Sequence, residues 1–258
     1  MDTFALTESQ KKPREKPQKK EPSTIMARRL VPLAVLSCTA AAVLTAGCSM
    51  IDGPTKKAER TYTLDGEVKV VDAATNGGNI TVVPMEGSGG PVRVTEKYEY
   101  SSQKPDPRHS LKDGRFTLER DDCGGSNHRC TVNVEVLVPR TVAVDLRTSG
   151  GNITVRGTSG EIAAHTSGGD ITIEDSAAKK ATARTSGGTV TATFTRVPDA
   201  VDGRTQGGDV EIHVPRDSYA VEASTQGGTR EVTVPTDDRS THTIKAHTQG
   251  GDVTVSPS

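Results

Sequence analysis

The chain has 258 residues, 25% of them charged, with a formal net charge of −1, no tryptophan and 3% aromatic residues. So even a balance leaves no basic footprint for nucleic acid. So few rings argue against a groove that stacks sugars on aromatic faces.

Residues 1–25 are rich in Lys, Glu, Pro and Gln and lack an apolar period, so they cannot bury a core. They read as a disordered extension or a mis-set start, because Met26 stands where a signal peptide should begin. Residues 26–47 have the parts of one: Met26-Ala27-Arg28-Arg29, an apolar run from Leu30 to Leu44, then small residues before Cys48. The run is short for a membrane span. The paired arginines read as a plain basic region before they read as a twin-arginine export signal.

Leu44-Thr45-Ala46-Gly47-Cys48 resembles a bacterial lipobox, with Thr45 where leucine is usual. That resemblance implies a diacylglycerol on Cys48, which becomes the mature N-terminus. The acyl chains would hold the protein to the extracytoplasmic face of the membrane, at about 0.8 kcal/mol per buried methylene. The competing expectation is a secreted protein with an unmodified Cys48. Residues 1–47 hold eight basic and four acidic side chains, so the chain from Cys48 onward carries a net charge of −5. Residues 48–60 are polar and contain Gly53-Pro54, as expected of a tether.

Of four cysteines, Cys38 leaves with the signal peptide and Cys48 is lipidated, leaving Cys123 and Cys130. In an exported protein that pair is expected to form a disulfide around a six-residue loop. A metal site of Cys123, His128 and Cys130 lacks a fourth ligand and a zinc-like spacing. No metal and no cofactor are expected.

Residues 61–140 are expected to hold one solenoid turn, with Val71, Ala73, Thr75, Ile80 and Val82 as its inward residues, and then a β insertion that caps it. The insertion's strands alternate over 92–100, 115–118 and 131–138. The loop from Ser101 to Asp113 reads as mobile.

Residues 141–258 repeat one motif. Thr148 opens TSGGNITV, Thr166 TSGGDITI, Thr185 TSGGTVTA, Thr205 TQGGDVEI, Thr225 TQGGTREV and Thr248 TQGGDVTV, and Thr75 opens an earlier copy. The second glycines recur at steps of 18, 19, 20, 20 and 23 residues. Such a period suits a coil of short strands. Period-two alternation puts Ile153, Ile171, Val190, Val210 and Val253 in one inward column. The pairs Gly150-Gly151, Gly168-Gly169, Gly187-Gly188, Gly207-Gly208, Gly227-Gly228 and Gly250-Gly251 mark one corner through positive φ and close backbone approach. Val-Pro sequences at Pro84, Pro139, Pro198, Pro215 and Pro235 mark the other. The expected fold is all-β: a β-solenoid of roughly 20-residue rungs with an N-terminal β cap. The competing fold is a β-sandwich with a hairpin at each Gly-Gly.

Arg230 interrupts the inward column. Either its strand shifts so that Val232 and Val234 fill the core, or Arg230 marks a pocket; the shift is favoured, since an unpaired buried charge is costly. Arg147, His165, Arg184, Arg204 and His247 precede the repeat threonines. Asn152, Asp170, Asp209 and Asp252 follow the glycines. Together they read as a solvated charge ladder, with a ligand groove as the sharper alternative. The final strand, Asp252–Val255, is expected to be an open edge available for self-association.

These repeats behind a lipobox resemble the bacterial putative-adhesin β-strand-repeat family, a domain of unassigned function. The resemblance spans about 65–258 and brings no catalytic residues. It implies a surface-anchored structural, adhesive or binding module, not an enzyme, with a protein or glycan partner in the cell envelope. The alternatives are an envelope-stress sensor working through a membrane partner and, further off, a glycan-active β-helix enzyme. Calcium binding would need a nine-residue period. An ice-binding face formed by Thr154, Thr172, Thr191, Thr233 and Thr254 is interrupted by Glu211.

Overall fold

The structure is a computed structural model that describes residues 55–86, 90–120 and 130–258. The signal segment, Cys48 and Cys123 lie outside the described residues. A strand β1 (Lys56–Thr63) precedes the first rung, β2 (Val70–Thr75) and β3 (Ile80–Pro84). Then come β4 (Arg93–Tyr100), β5 (His109–Lys112), β6 (Arg115–Leu118) and β7 (Cys130–Val138). The six clustered copies supply a pair of strands each. They are β8 (Ala143–Thr148) and β9 (Ile153–Arg156), β10 (Ile162–Thr166) and β11 (Ile171–Ser176), β12 (Lys180–Arg184) and β13 (Val190–Phe194). After these follow β14 (Ala200–Arg204) and β15 (Val210–Val214), β16 (Ala220–Ser224) and β17 (Arg230–Val232), β18 (Thr243–His247) and β19 (Val253–Pro257).

Among the described residues these strands make two sheets. One runs β1-β4-β7-β3-β9-β11-β13-β15-β19-β17 and the other β16-β18-β14-β12-β10-β8-β2-β6-β5. Each rung places its first strand in the second sheet and, after the Gly-Gly corner, its second strand in the first. Strands of successive rungs pair in parallel, so the hairpin sandwich is excluded. Like residues lie side by side: Ile80 on Ile153, Ile153 on Ile171, Ile171 on Val190, Val190 on Val210 and Val210 on Val253. All six are fully buried. On the facing sheet Val144, Ile162, Ala181, Val201 and Ile244 form the opposing column. Small residues there leave room for large ones opposite. A methyl group on Gly203, for example, would lie 3.0 Å from Val210 Cγ1 and 3.4 Å from Ile212 Cδ1.

The insertion lies against the first rung. β6 and β7 extend the two sheets in parallel beyond β2 and β3, and β5, β4 and β1 add antiparallel strands outside them. The segment read as a mobile loop contains β5. Asp113, at φ 51°, and Gly114, at φ 77°, form the tight turn that returns it to β6. Successive left-handed residues are what a two-residue hairpin requires.

At the other end the order departs from expectation. β18 lies between β14 and β16, and β19 between β15 and β17. The last rung in sequence is therefore inserted beneath the one before it. Asp252–Val255 is an interior strand, and the edges at this end are β16 and β17. Arg230 follows from this order. Its strand does not shift, since Arg230 pairs with Val253 and Val232 with Val255. Arg230 is exposed because no rung lies beyond it, and its Nε donates to Ala223 O at 2.9 Å, tying the two edge strands together. It marks neither a shift nor a pocket. Of the two valines expected to fill the core, Val234 is buried and Val232 half-buried. Glu231, not Thr233, continues the outward threonine column.

Truncating a central column residue should leave a cavity between rungs that cannot close, because both neighbours are fixed by backbone ladders. Ile171→Ala is expected to cost about 2–5 kcal/mol in urea unfolding. The outward Thr172→Ala should stay within about 0.5 kcal/mol.

Candidate functional site

The repeated corner is where sequence and geometry coincide. Each repeat threonine is inward and buried or nearly so, and its hydroxyl joins two rungs. Thr166 Oγ1 accepts from Gly169 N at 3.3 Å in its own corner and donates to Gly151 O of the rung beneath at 2.9 Å. The same donation joins Thr148 to Gly78, Thr185 to Gly169, Thr205 to Gly188, Thr248 to Gly208 and Thr225 to Gly251, at 2.7–3.0 Å. The last two follow the spatial order of the rungs, not the sequence order.

The two glycines of a corner have different duties. A β-carbon on the second, as at Gly151 or Gly169, would fall on the carbonyl of the second glycine beneath it. A β-carbon on the first, as at Gly168, would have Gly150 Cα as its nearest neighbour, at 3.7 Å. Positive φ is not the reason for either. Among the described glycines only Gly66, Gly114 and Gly157 have it.

The residue after each pair adds a side-chain ladder. Asn79 Oδ1 accepts from Asn152 N, Asn152 Oδ1 from Asp170 N, and Asp170 Oδ1 from Thr189 N, at 2.8–2.9 Å. Asp209 and Asp252 continue it at 2.7 Å, to Asp252 N and Thr229 N. The backbone N–H and hydroxyl of Thr229 hold the Asp252 carboxyl below the usual carboxylate range.

The basic column does not pair with this acidic one. Arg147 bonds Asp145 at 2.7 Å and Asp72 at 3.2 Å, while Arg184 and Arg204 share Asp202 at 2.8 and 2.6 Å. The acids lie on the outer face of the same sheet, two residues back on the basic residue's own strand or on a neighbour. Partial burial alone would raise the Asp202 carboxyl; the two guanidiniums outweigh it and hold the group below its ordinary 3.8. The charge ladder is therefore real, but its cross-pairing is between strands of one sheet and not across the corner.

A second cluster lies in the cap. Glu96 is fully buried and accepts hydrogen bonds from the hydroxyls of Tyr62, at 2.6 Å, and Tyr98. Burial, then the Glu96 contact, pushes both phenols upward. Tyr62 stacks on His109 with ring centroids 4.4 Å apart, and the Arg60 guanidinium lies 5.0 Å from the Tyr62 ring centroid. Sequence reasoning missed this cluster. Its signal was the alternation Val94, Glu96, Tyr98, which puts a carboxylate on an otherwise apolar face.

Cys130 opens β7, where it faces Tyr100 of β4; its expected partner Cys123 lies outside the described residues. Among the described residues no group of three or more His, Cys, Asp or Glu side chains is arranged to hold a metal ion.

Stacked parallel rungs, corners built on Thr-x-Gly-Gly and a β cap define a solenoid-like β-repeat domain. Residues 131–256 match the model of the Toastrack DUF4097 family, a β-repeat domain of unknown function like the one its motifs resemble. Solved structures with a similar fold include a putative cell adhesion protein from Clostridium sporogenes, 13% identical, covering 79% of this chain and 100% of its own, at a TM-score of 0.46. Another is a putative adhesin from Bacteroides fragilis, 15% identical, covering 79% of this chain and 97% of its own, at a TM-score of 0.41. A third, from Parabacteroides distasonis, is 13% identical, covering 80% of this chain and 98% of its own, at 0.31. No curated protein matches the chain.

Two measurements check the corner. Gly169→Ala should lower stability by about 3 kcal/mol through overpacking, and Gly168→Ala by less than about 1 kcal/mol. Because the folded Asp202 carboxyl titrates below its unfolded value, its contribution is present above pH 3.8 and is lost as pH falls through the folded value. Thermal melts of Asp202→Asn and the parent chain should therefore differ at pH 6 and converge on acidification.

Proposed function

We propose that this chain is a lipid-anchored module on the extracytoplasmic face of a bacterial membrane, acting as a structural, adhesive or binding surface and not as an enzyme. The observation that carries the reading is the way polar side chains recur. Outside the sheets they come once per rung, in columns such as Thr81, Thr154, Thr172 and Thr191. A periodic face offers many equivalent weak contacts to an extended partner in the envelope, a protein or a glycan. A catalytic centre needs unlike groups converging on one point.

The anchor rests on the Met26–Cys48 sequence. Eight peptide units join Cys48 to Lys56, which reach at most about 29 Å. An acylated Cys48 would hold β1, the edge strand of its sheet, close to the bilayer. The Cys123–Cys130 disulfide belongs to the same reading, since export delivers the pair to an oxidising compartment.

In cells, Cys48→Ser should move the protein from the membrane fraction to the soluble extracytoplasmic one, with its fold unchanged by circular dichroism. A variant that stays membrane-bound would remove the lipid from the proposal. Thiol labelling of the non-reduced exported protein should leave Cys123 and Cys130 unmodified. Cys123→Ser should cost about 2–3 kcal/mol.

A further inference from the structure

We infer that residues 218–258 form an exchangeable two-rung unit through which a second copy of this chain binds, at the end of the stack remote from β1. This deepens the reading of the chain as a binding module by naming its partner, and it does not depend on the lipid at Cys48.

The order of the rungs is the first support. Because β18–β19 lies beneath β16–β17, the last two rungs hold each other as a unit. Thr225 donates to Gly251 O, and Thr229 N to Asp252 Oδ1, both at 2.7 Å. The seam with the rest of the stack is β14 against β18 and β15 against β19. Residues 215–217 are the one covalent link across that seam.

The corner bonds across the seam are generic, while His213 Nδ1 with Ser256 Oγ at 2.8 Å and His242 Nδ1 with Pro198 O at 3.0 Å are particular to it. Thr248 donates to Gly208 O, and Asp252 N to Asp209 Oδ1, both at 2.7 Å. Equivalent bonds join rung to rung along the rest of the stack. The same unit from another copy makes the same bonds on the same edge. Its own unit is favoured only by the effective concentration that the link provides, which is the condition for exchange between identical chains.

The link covers a longer step than its equivalents. The connections of residues 157–161 and 195–199 each carry the chain one rung onward, whereas residues 215–219, no longer, carry it two. Two rung steps of roughly 4.8 Å and a sheet separation of roughly 10 Å set a span of roughly 14 Å. Six peptide units from Val214 to Ala220 reach at most about 22 Å, and four reach about 14 Å. Removing two residues leaves no slack for closure on the same copy, while docking on another copy has no such constraint.

The full-length protein tests this in two ways. Deleting Arg216 and Asp217 should double the mass read by light scattering, with the β-sheet circular dichroism retained. Inserting Gly-Ser-Gly-Ser after Arg216 should return the monomer mass. A folded monomer from the deletion would overturn the inference. The second test keeps the natural link and so decides the matter even if the deletion fails to fold. Glu211→Cys and Thr254→Cys are made in separate copies, since these residues are paired neighbours on β15 and β19. Mixing, warming and oxidising them should yield a disulfide-linked heterodimer above the level given by the unsubstituted chain; its absence sinks the proposal. Neither readout changes if Cys48 carries no lipid, so this inference and the anchor fail separately.

Discussion

One close approach governs this molecule. At each of the six clustered corners the second glycine lies so near the carbonyl of the second glycine beneath it that a β-carbon has no place. That proximity lets the repeat threonine reach two corners at once, accepting from its own and donating to its neighbour's. Without it the hydroxyl would be a buried donor lacking an acceptor, at a cost of about 1–3 kcal/mol. The glycine is thus required by the threonine and the threonine by the glycine. The pair sets the registry of both sheets, and the apolar columns follow, because a slip of one residue would turn every inward side chain outward.

The columns were legible from sequence because corner and strand carry the same register. Once the Thr-x-Gly-Gly copies are aligned, Ile153, Ile171, Val190 and Val210 must superpose, and they do. The order of the last two rungs was not legible. Every corner presents the same donors and acceptors, so a copy fits on any other, and the repeat alone does not say which lies next to which. Two irregularities pointed to the answer. The final step is 23 residues where the two before it are 20, giving the length for a return beneath β16–β17. Arg230, where isoleucine or valine belongs, is tolerable only on a rung with nothing beyond it. Read as a local fault it suggested a register shift; read as an end residue it gives the rung order.

The cap shows a different limit. Its strands were readable by alternation, but Glu96 sits inward among Val94 and Tyr98, and alternation alone would assign that position an apolar residue. The carboxylate is accommodated because two phenols converge on it from β1 and β4. Such a pairing depends on the antiparallel register of β1 on β4, in which Arg60 lies opposite Glu96 and Tyr62 opposite Val94. Nothing within either strand reveals that register. The Asp113-Gly114 turn, by contrast, was a local signal for a hairpin and was obscured by the prolines that precede it.

The same economy that makes the stack regular restricts what its surface can recognise. The Asn and Asp side chains after each Gly-Gly are engaged with backbone N–H groups, and Arg147, Arg184 and Arg204 are engaged with Asp72, Asp145 and Asp202. The arginine charges are largely neutralised within one sheet, so their long-range attraction to a charged ligand is weak and is further screened by salt. What the middle rungs leave outward on the other sheet is a line of hydroxyls at Thr154, Thr172 and Thr191. Contacts of that kind are individually small and add up only along a partner that matches the rung spacing. The chemistry that matches it without adjustment is another rung of the same sequence. The sides of such a molecule thus offer repetition, while its end beyond β19 and β18 offers the edge strands β17 and β16, which have no further rung beside them.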